Sequence, residues 1–170
     1  DSVFHEAAVD RIVWHQGEDE DGAQGMPLLA LAQAGRPDLL LPIWVGVAEA
    51  AAIWSAMYGE PPPRPMTHDL LANVPDAANA TVRKVIVSDL HDGVYKGLLL
   101  IDFAGAVKEI DCRVSDAIAI AVRIHSPILV ADRLTARADA WVSADRFEEA
   151  RDFMVAAARE RVTSAPAKTP

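Results

Sequence analysis

Between residues 81 and 113, three runs rich in β-branched residues follow one another with almost nothing between them. That spacing constrains the fold more tightly than any other feature of the chain. Residues 81–90 and 94–103 flank Asp92-Gly93, a pair suited to the left-handed backbone of a two-residue hairpin turn. Ala104-Gly105 offers a second reversal into residues 107–113. Three consecutive strands joined by short turns make an antiparallel meander. In the last of them Ile110 and Cys112 share one face, while Glu109, Asp111 and Arg113 share the other. Half of that strand is therefore expected to look towards something polar.

The segments on either side fit around this meander. Residues 8–15 predict a first strand, leaving 1–7 as an N-terminal extension, and the acid-rich residues 16–25 predict a solvated loop. Residues 26–32 and 39–45 are apolar runs separated by a turn containing Gly35 and Pro37, which predicts a hairpin. Pro42 lacks a ladder donor, so its strand is expected to lie at an edge or carry a bulge. Residues 47–58 predict a helix with Ala50, Ile53, Trp54 and Met57 on its core stripe and Glu49 in the first turn.

The run PPPRP then forces an extended path that holds Arg64 on a stiff arm. Thr67 is the expected N-cap of the following helix, with Asp69 in its first turn and Leu70, Leu71 and Val74 facing the core. Pro75 predicts that this helix is short or kinked. Ser115 is the expected cap of another helix, with Ile118, Ala121 and Val122 at core spacing, followed by a short buried strand at 127–130.

Ser143 is expected to open a last helix reaching about Val162, and residues 163–170 form a disordered tail. The predicted whole is a single-domain α+β fold: an antiparallel-rich mixed β-sheet, hairpin plus three-strand meander, packed with about four helices. Its body spans residues 8–132, with a helical extension over 133–162.

Composition narrows the function. At 170 residues, 51% hydrophobic and 24% charged, the chain is long enough for one sizeable core and too apolar for wholesale disorder. No run approaches the roughly 20 apolar residues of a membrane span, and no secretory leader is visible at the N-terminus. The one cysteine, Cys112, excludes an intramolecular disulfide and a multi-cysteine metal site, so a reducing cytoplasm is expected. A net charge of −9 repels polyanions, so nucleic acid would need a local basic patch or a bound cation. No HExxH, P-loop, GxSxG or dinucleotide fingerprint occurs.

Several motifs occur in one characteristic order: LPIWVG at 41–46, Glu49-Ala50, PPRPMTHDL at 62–70, an SDL-x-DG-x-Y pattern at 88–95, and DCRVSDAIAIAVR at 111–123. Together they resemble the bifunctional nuclease domain family of bacteria and plants, over about residues 9–132. One departure is Cys112-Arg113-Val114, where the family usually has Ala-Arg-Pro. The resemblance implies a compact α+β domain, usually oligomeric, with a dimer as the first expectation, and nuclease activity on DNA and RNA.

Phosphodiester hydrolysis needs an activated water, charge stabilisation at phosphorus and a proton for the leaving oxygen. Carboxylates holding Mg²⁺ or Mn²⁺ would supply the first two; the candidates are Asp69, Asp89, Asp111 and Asp116, with Asp69 and Asp116 the expected metal ligands. His68 is the candidate acid or base. Arg64 and Arg113 would grip phosphate through two hydrogen bonds each, and Thr67 and Ser115 would donate hydrogen bonds or cap. The alternative is a non-catalytic oligomeric binding or regulatory domain. There the same acids stabilise helix starts, and Arg64 and Arg113 pair with Glu49, Asp111 or Asp116 in a structural network.

Overall fold

The computed structural model describes residues 3–14, 26–136, 140–147 and 149. The expected acidic loop at 16–25, the last helix from residue 150 on and the tail at 163–170 lie outside them; at the expected start of that helix, Ser143 ends a two-residue strand and N-caps a 3-10 turn. In chain order the elements are β1 (Phe4–Val13), β2 (Leu28–Gln33), β3 (Arg36–Trp44), α1 (Val47–Tyr58), α2 (Thr67–Ala77), β4 (Ala80–His91), β5 (Val94–Phe103), β6 (Ala106–Arg113), α3 (Val114–Ile124), β7 (Ile128–Ala131), α4 (Asp132–Thr135) and β8 (Val142–Ser143), followed by a 3-10 turn at Ala144–Arg146. The first strand starts at Phe4, earlier than expected, because residues 4–7 pair with β7.

All eight strands form one sheet, in the order β6-β5-β4-β7-β1-β2-β3-β8. The hairpin and the meander are both present. β7 sits between them, antiparallel to β1 and parallel to β4. The meander follows from its turns. Asp92 and Gly93 both take positive φ, as a tight hairpin requires. Ala104 does the same without glycine's freedom, and the next amide, that of Gly105, donates to Asp102 Oδ1 at 2.6 Å. The strand of Pro42 is neither the edge of the sheet nor bulged at that residue, since β8 lies outside it and the register shift falls at Ala32/Gln33. Pro42 lies beyond the short β8 pairing, which covers only Leu39 and Leu40, so no second ladder asks it for a donor.

Alternation along the strands divides the core between the two sheet faces. Leu29, Leu31, Leu41, Ile43, Val85, Val87, Leu99 and Ile101 belong to the main core, which they share with Ile53 of α1 and Ala117, Ile118 and Ala121 of α3. Leu28, Ala30 and Leu40 form a smaller core with Phe147. Leu134 and Ala140 also join the main core, so the chain beyond residue 132 packs into the same body.

Two expectations about helix faces are corrected. In α1, Ala50 and Ile53 are buried and Met57 packs against the core, but Trp54 is exposed and stacks obliquely on Tyr58, with ring centroids 5.8 Å apart. In α2 the buried residues are Ala72 and Pro75, while Leu70, Leu71 and Val74 are exposed. The inward face of α2 carries His68 and Asp69, whose polar partners on α3 take the place that apolar packing would otherwise fill. The helix runs through Pro75 to Ala77.

Candidate functional site

The site lies where α1, α2 and α3 begin. β6 runs directly into α3, with Arg113 as N-cap in extended conformation and Asp116 in the first turn. This junction passes so close to β5 that a Cβ on Gly97 would sit 2.9 Å from the Cys112 carbonyl oxygen and 3.1 Å from Val114 Cα. A glycine is required there for the strand to deliver α3 onto the sheet.

The N-cap of α2 is Met66, not Thr67, and that of α3 is Arg113, not Ser115. In each helix the acid occupies the third helical position, the place from which a carboxylate reaches back to the cap. Asp69 Oδ2 does so, accepting the Met66 N–H at 2.8 Å. Thr67 is thereby the exposed first residue of α2, and Ser115 the buried second residue of α3.

Asp116 is the hub. Its Oδ1 is 2.9 Å from His68 Nε2, and Arg113 clamps it with Nε at 2.6 Å from Oδ2 and Nη2 at 3.0 Å from Oδ1. The same Nη2 donates to Glu49 Oε1 at 2.8 Å, tying α1 to the other two helices. A second bridge joins α2 and α3, from Arg123 Nε to Asp69 Oδ1 at 2.6 Å, while Arg123 Nη1 donates to the Ala119 carbonyl. The network of Arg113 with Glu49 and Asp116 is one the sequence anticipated. Arg123 was missed, although it lies two helical turns after Asp116 and so on the same face of α3.

Burial would raise the Asp116 carboxyl, but the hydrogen bonds from Arg113 and His68 outweigh it and hold the group below the usual carboxylate range. Asp69 is lowered by Arg123 and by the Met66 amide. Arg113 is raised by Asp116 and then Glu49. Burial, with the charges of Asp116 and Asp111 nearby, pushes the Cys112 thiol up to about 11, which makes it inert packing rather than a nucleophile.

His68 is largely enclosed, with 11% of its side chain exposed, whereas Arg113 is 66% exposed. The pair therefore forms a covered imidazole beside an open guanidinium.

The other candidates make no hydrogen bond or ion pair with this cluster among the described residues. Asp111 is 72% exposed and pairs with Lys96 at 3.5 Å; Asp89 lies 3.5 Å from Arg133. Arg64 is exposed on its proline arm, and no hydrogen bond or ion pair holds it among the described residues. Among the described residues no three His, Cys, Asp or Glu side chains are grouped to hold a metal ion. The oxygens of Asp69 and Asp116 are committed to Arg123, the Met66 amide, His68 and Arg113. Every oxygen of the two carboxylates is thus shared with an N–H donor, so a resident Mg²⁺ or Mn²⁺ would have to compete with two guanidinium groups for this donor set.

Among the described residues, no helix is long and apolar enough to cross a membrane. Two curated relatives, uncharacterized proteins of Mycobacterium tuberculosis strains CDC 1551 / Oshkosh and ATCC 25618 / H37Rv, are each 37% identical to this chain over 127 residues, covering 75% of it and 75% of their own length. The bifunctional nuclease domain model matches residues 29–143, more than half of the chain and beyond Asp132, where the resemblance read from the sequence ended. The match spans every residue of the helix-start cluster, and the chain belongs to the bifunctional nuclease domain family.

Proposed function

We propose that this protein is a nuclease-like phosphodiester hydrolase acting on DNA or RNA, with His68 as the acid–base group and Asp116 as the residue that orients it. The observation that carries this reading is the 2.9 Å contact between His68 Nε2 and Asp116 Oδ1, beside the exposed guanidinium of Arg113. A carboxylate fixing one ring nitrogen sets the tautomer and stabilises the imidazolium that forms when the other nitrogen takes a proton. Nδ1 is then the atom that would accept a proton from the attacking water and return one to the leaving oxygen. The Nη1 of Arg113 takes no part in its bonds to Glu49 and Asp116, and it would meet a phosphate oxygen. No step in this scheme passes through a metal. A cytoplasmic location and a homo-oligomeric state go with the proposal.

The test is cleavage of single-stranded DNA and RNA by highly purified protein, with and without EDTA and added Mg²⁺ or Mn²⁺, beside His68→Ala. The expected result is cleavage that falls by roughly 100-fold or more in His68→Ala. Cleavage equal in the parent and the variant would remove His68 from the chemistry. Loss with EDTA, restored by Mn²⁺, would bring a metal back into the scheme.

A second reading is favoured by one specific observation: each oxygen of Asp69 and Asp116 already has a partner. In that reading the cluster is a structural ion-pair network in a non-catalytic binding or regulatory domain. It expects Asp116→Ala to lower the melting temperature by about 5 °C, as loss of about 2 kcal/mol from charged hydrogen bonds would in a domain of this size. Unchanged melting with lost cleavage would decide for the hydrolase.

A further inference from the structure

We propose that the outward face of α2 is the contact between two copies of this chain, packed antiparallel about a two-fold axis at Leu70. Met66, Leu70 and Val74 recur every fourth residue and form one ridge, with Leu71 beside it; all four are between 43% and 64% exposed. The helix therefore turns its larger apolar side chains to solvent and its polar ones, His68 and Asp69, inward. These four side chains present on the order of 400 Å² of apolar surface in one place, the size of a functional patch. The exposed prolines of the arm and the stem of Arg64 extend it towards the about 800 Å² that a stable interface takes from each subunit.

Charge selects the occupant. A two-fold axis at Leu70 sets Met66 of each copy against Val74 of the other, and carries each Arg64 towards the carboxyl end of the opposite α2. That end holds Asp76 and the negative end of the helix dipole, with no basic residue in the last turn, and so attracts a cation. Arg64 and Asp76 are both exposed, and neither has an ion-pair partner among the described residues. No charged residue stands on the ridge between them, so two copies of a chain with net charge −9 meet without like charges at the contact.

Edge strand β6, another accessible surface, meets this test less well. Pairing β6 with itself about a two-fold axis normal to the sheet preserves the facing of each residue. A centre at Glu109 sets that acid against itself, a centre at Ile110 sets Glu109 against Asp111, and a centre at Lys108 opposes two lysines; centres at Val107 or Cys112 avoid like charges but engage only the three residues 106–108 or 111–113 at an end of the strand. Such charges are how an edge strand resists pairing.

Sedimentation velocity on the full chain at micromolar concentration reads the outcome. The parent is expected to be a dimer, and Leu70→Glu, which alters only a solvent-facing position of the subunit, a monomer with unchanged circular dichroism and roughly 100-fold weaker association. Arg64→Glu is expected to weaken the dimer roughly 10-fold, and Asp76→Arg added to it to restore association. A monomeric parent, a Leu70→Glu chain that stays dimeric, or an Arg64→Glu defect that Asp76→Arg does not repair would each overturn the proposal. A monomeric parent that binds neutral phospholipid vesicles would reassign the face to a lipid surface.

Discussion

Helices α2 and α3 begin alike and are held in opposite ways. Each has an extended N-cap and an aspartate at the third helical position, and each aspartate is drawn below its ordinary range by a guanidinium. Yet α3 buries seven of its eleven residues, whereas α2 buries two. Burial holds α3; cross-helix charge holds α2 against it, through His68 to Asp116 and Asp69 to Arg123. The same polar groups that offer chemistry are thus also what fastens α2 to the body. A helix anchored this way can keep an ionisable inner face and still leave an apolar outer one for something else.

The contrast predicts graded effects. Ile118→Ala in α3, at a fully buried position, should cost about 3 kcal/mol and lower the melting temperature by roughly 8 °C, with a correspondingly lower midpoint in urea. A loss below about 1 kcal/mol would mean that α3 is not the better packed helix.

Asp69→Ala should have a smaller and more local effect, about 1.5 kcal/mol, from the lost contacts to Arg123 and the Met66 amide. Hydrogen exchange should show it as faster opening of α2 with α3 protection kept. Equal loosening of both helices would erase the distinction.

The smallest effect concerns pH. Unfolded aspartates titrate near 3.9, and folded Asp69 and Asp116 are held lower, so their contribution is complete above that value and fades as pH falls through the folded values. Stability should therefore hold from pH 7 to 5 as far as these two groups are concerned. Below about pH 4, α2 amides should lose protection before those of α3.

How far these features could be read in advance depends on whether the deciding interaction is local. The meander was legible because Asp92-Gly93 specifies its turn by backbone conformation alone. Both strand assignments around Gly35 held for the same reason. The direction of α2 was not legible: Leu70, Leu71 and Val74 look like a core stripe until Asp116 and Arg123, some fifty residues later in the chain, claim the opposite side of the helix.

The caps were misplaced by one residue in α2 and by two in α3, because a hydroxyl is a conspicuous cap and Met66 and Arg113 are not. The acids Asp69 and Asp116, which were legible, mark the true starts by their position. Of the candidate site, the sequence anticipated His68, Asp69, Arg113 and Asp116 as members. Their partners, and the pairing of Asp89 with Arg133 and of Asp111 with Lys96 instead, needed the folded chain.

The four residues of β7 carry a consequence for how the chain comes together. Among the described residues, 128–131 alone join the hairpin half of the sheet, through β1, to the meander half, through β4. While the ribosome has yet to deliver them, β1 and β4 each present an unpaired border, and two half-sheets wait for a seam about 120 residues from the first strand. Such a late and distant closure is slow by nature and leaves sticky edges open meanwhile. During synthesis, this protein should depend most on chaperones in the interval before that short strand arrives.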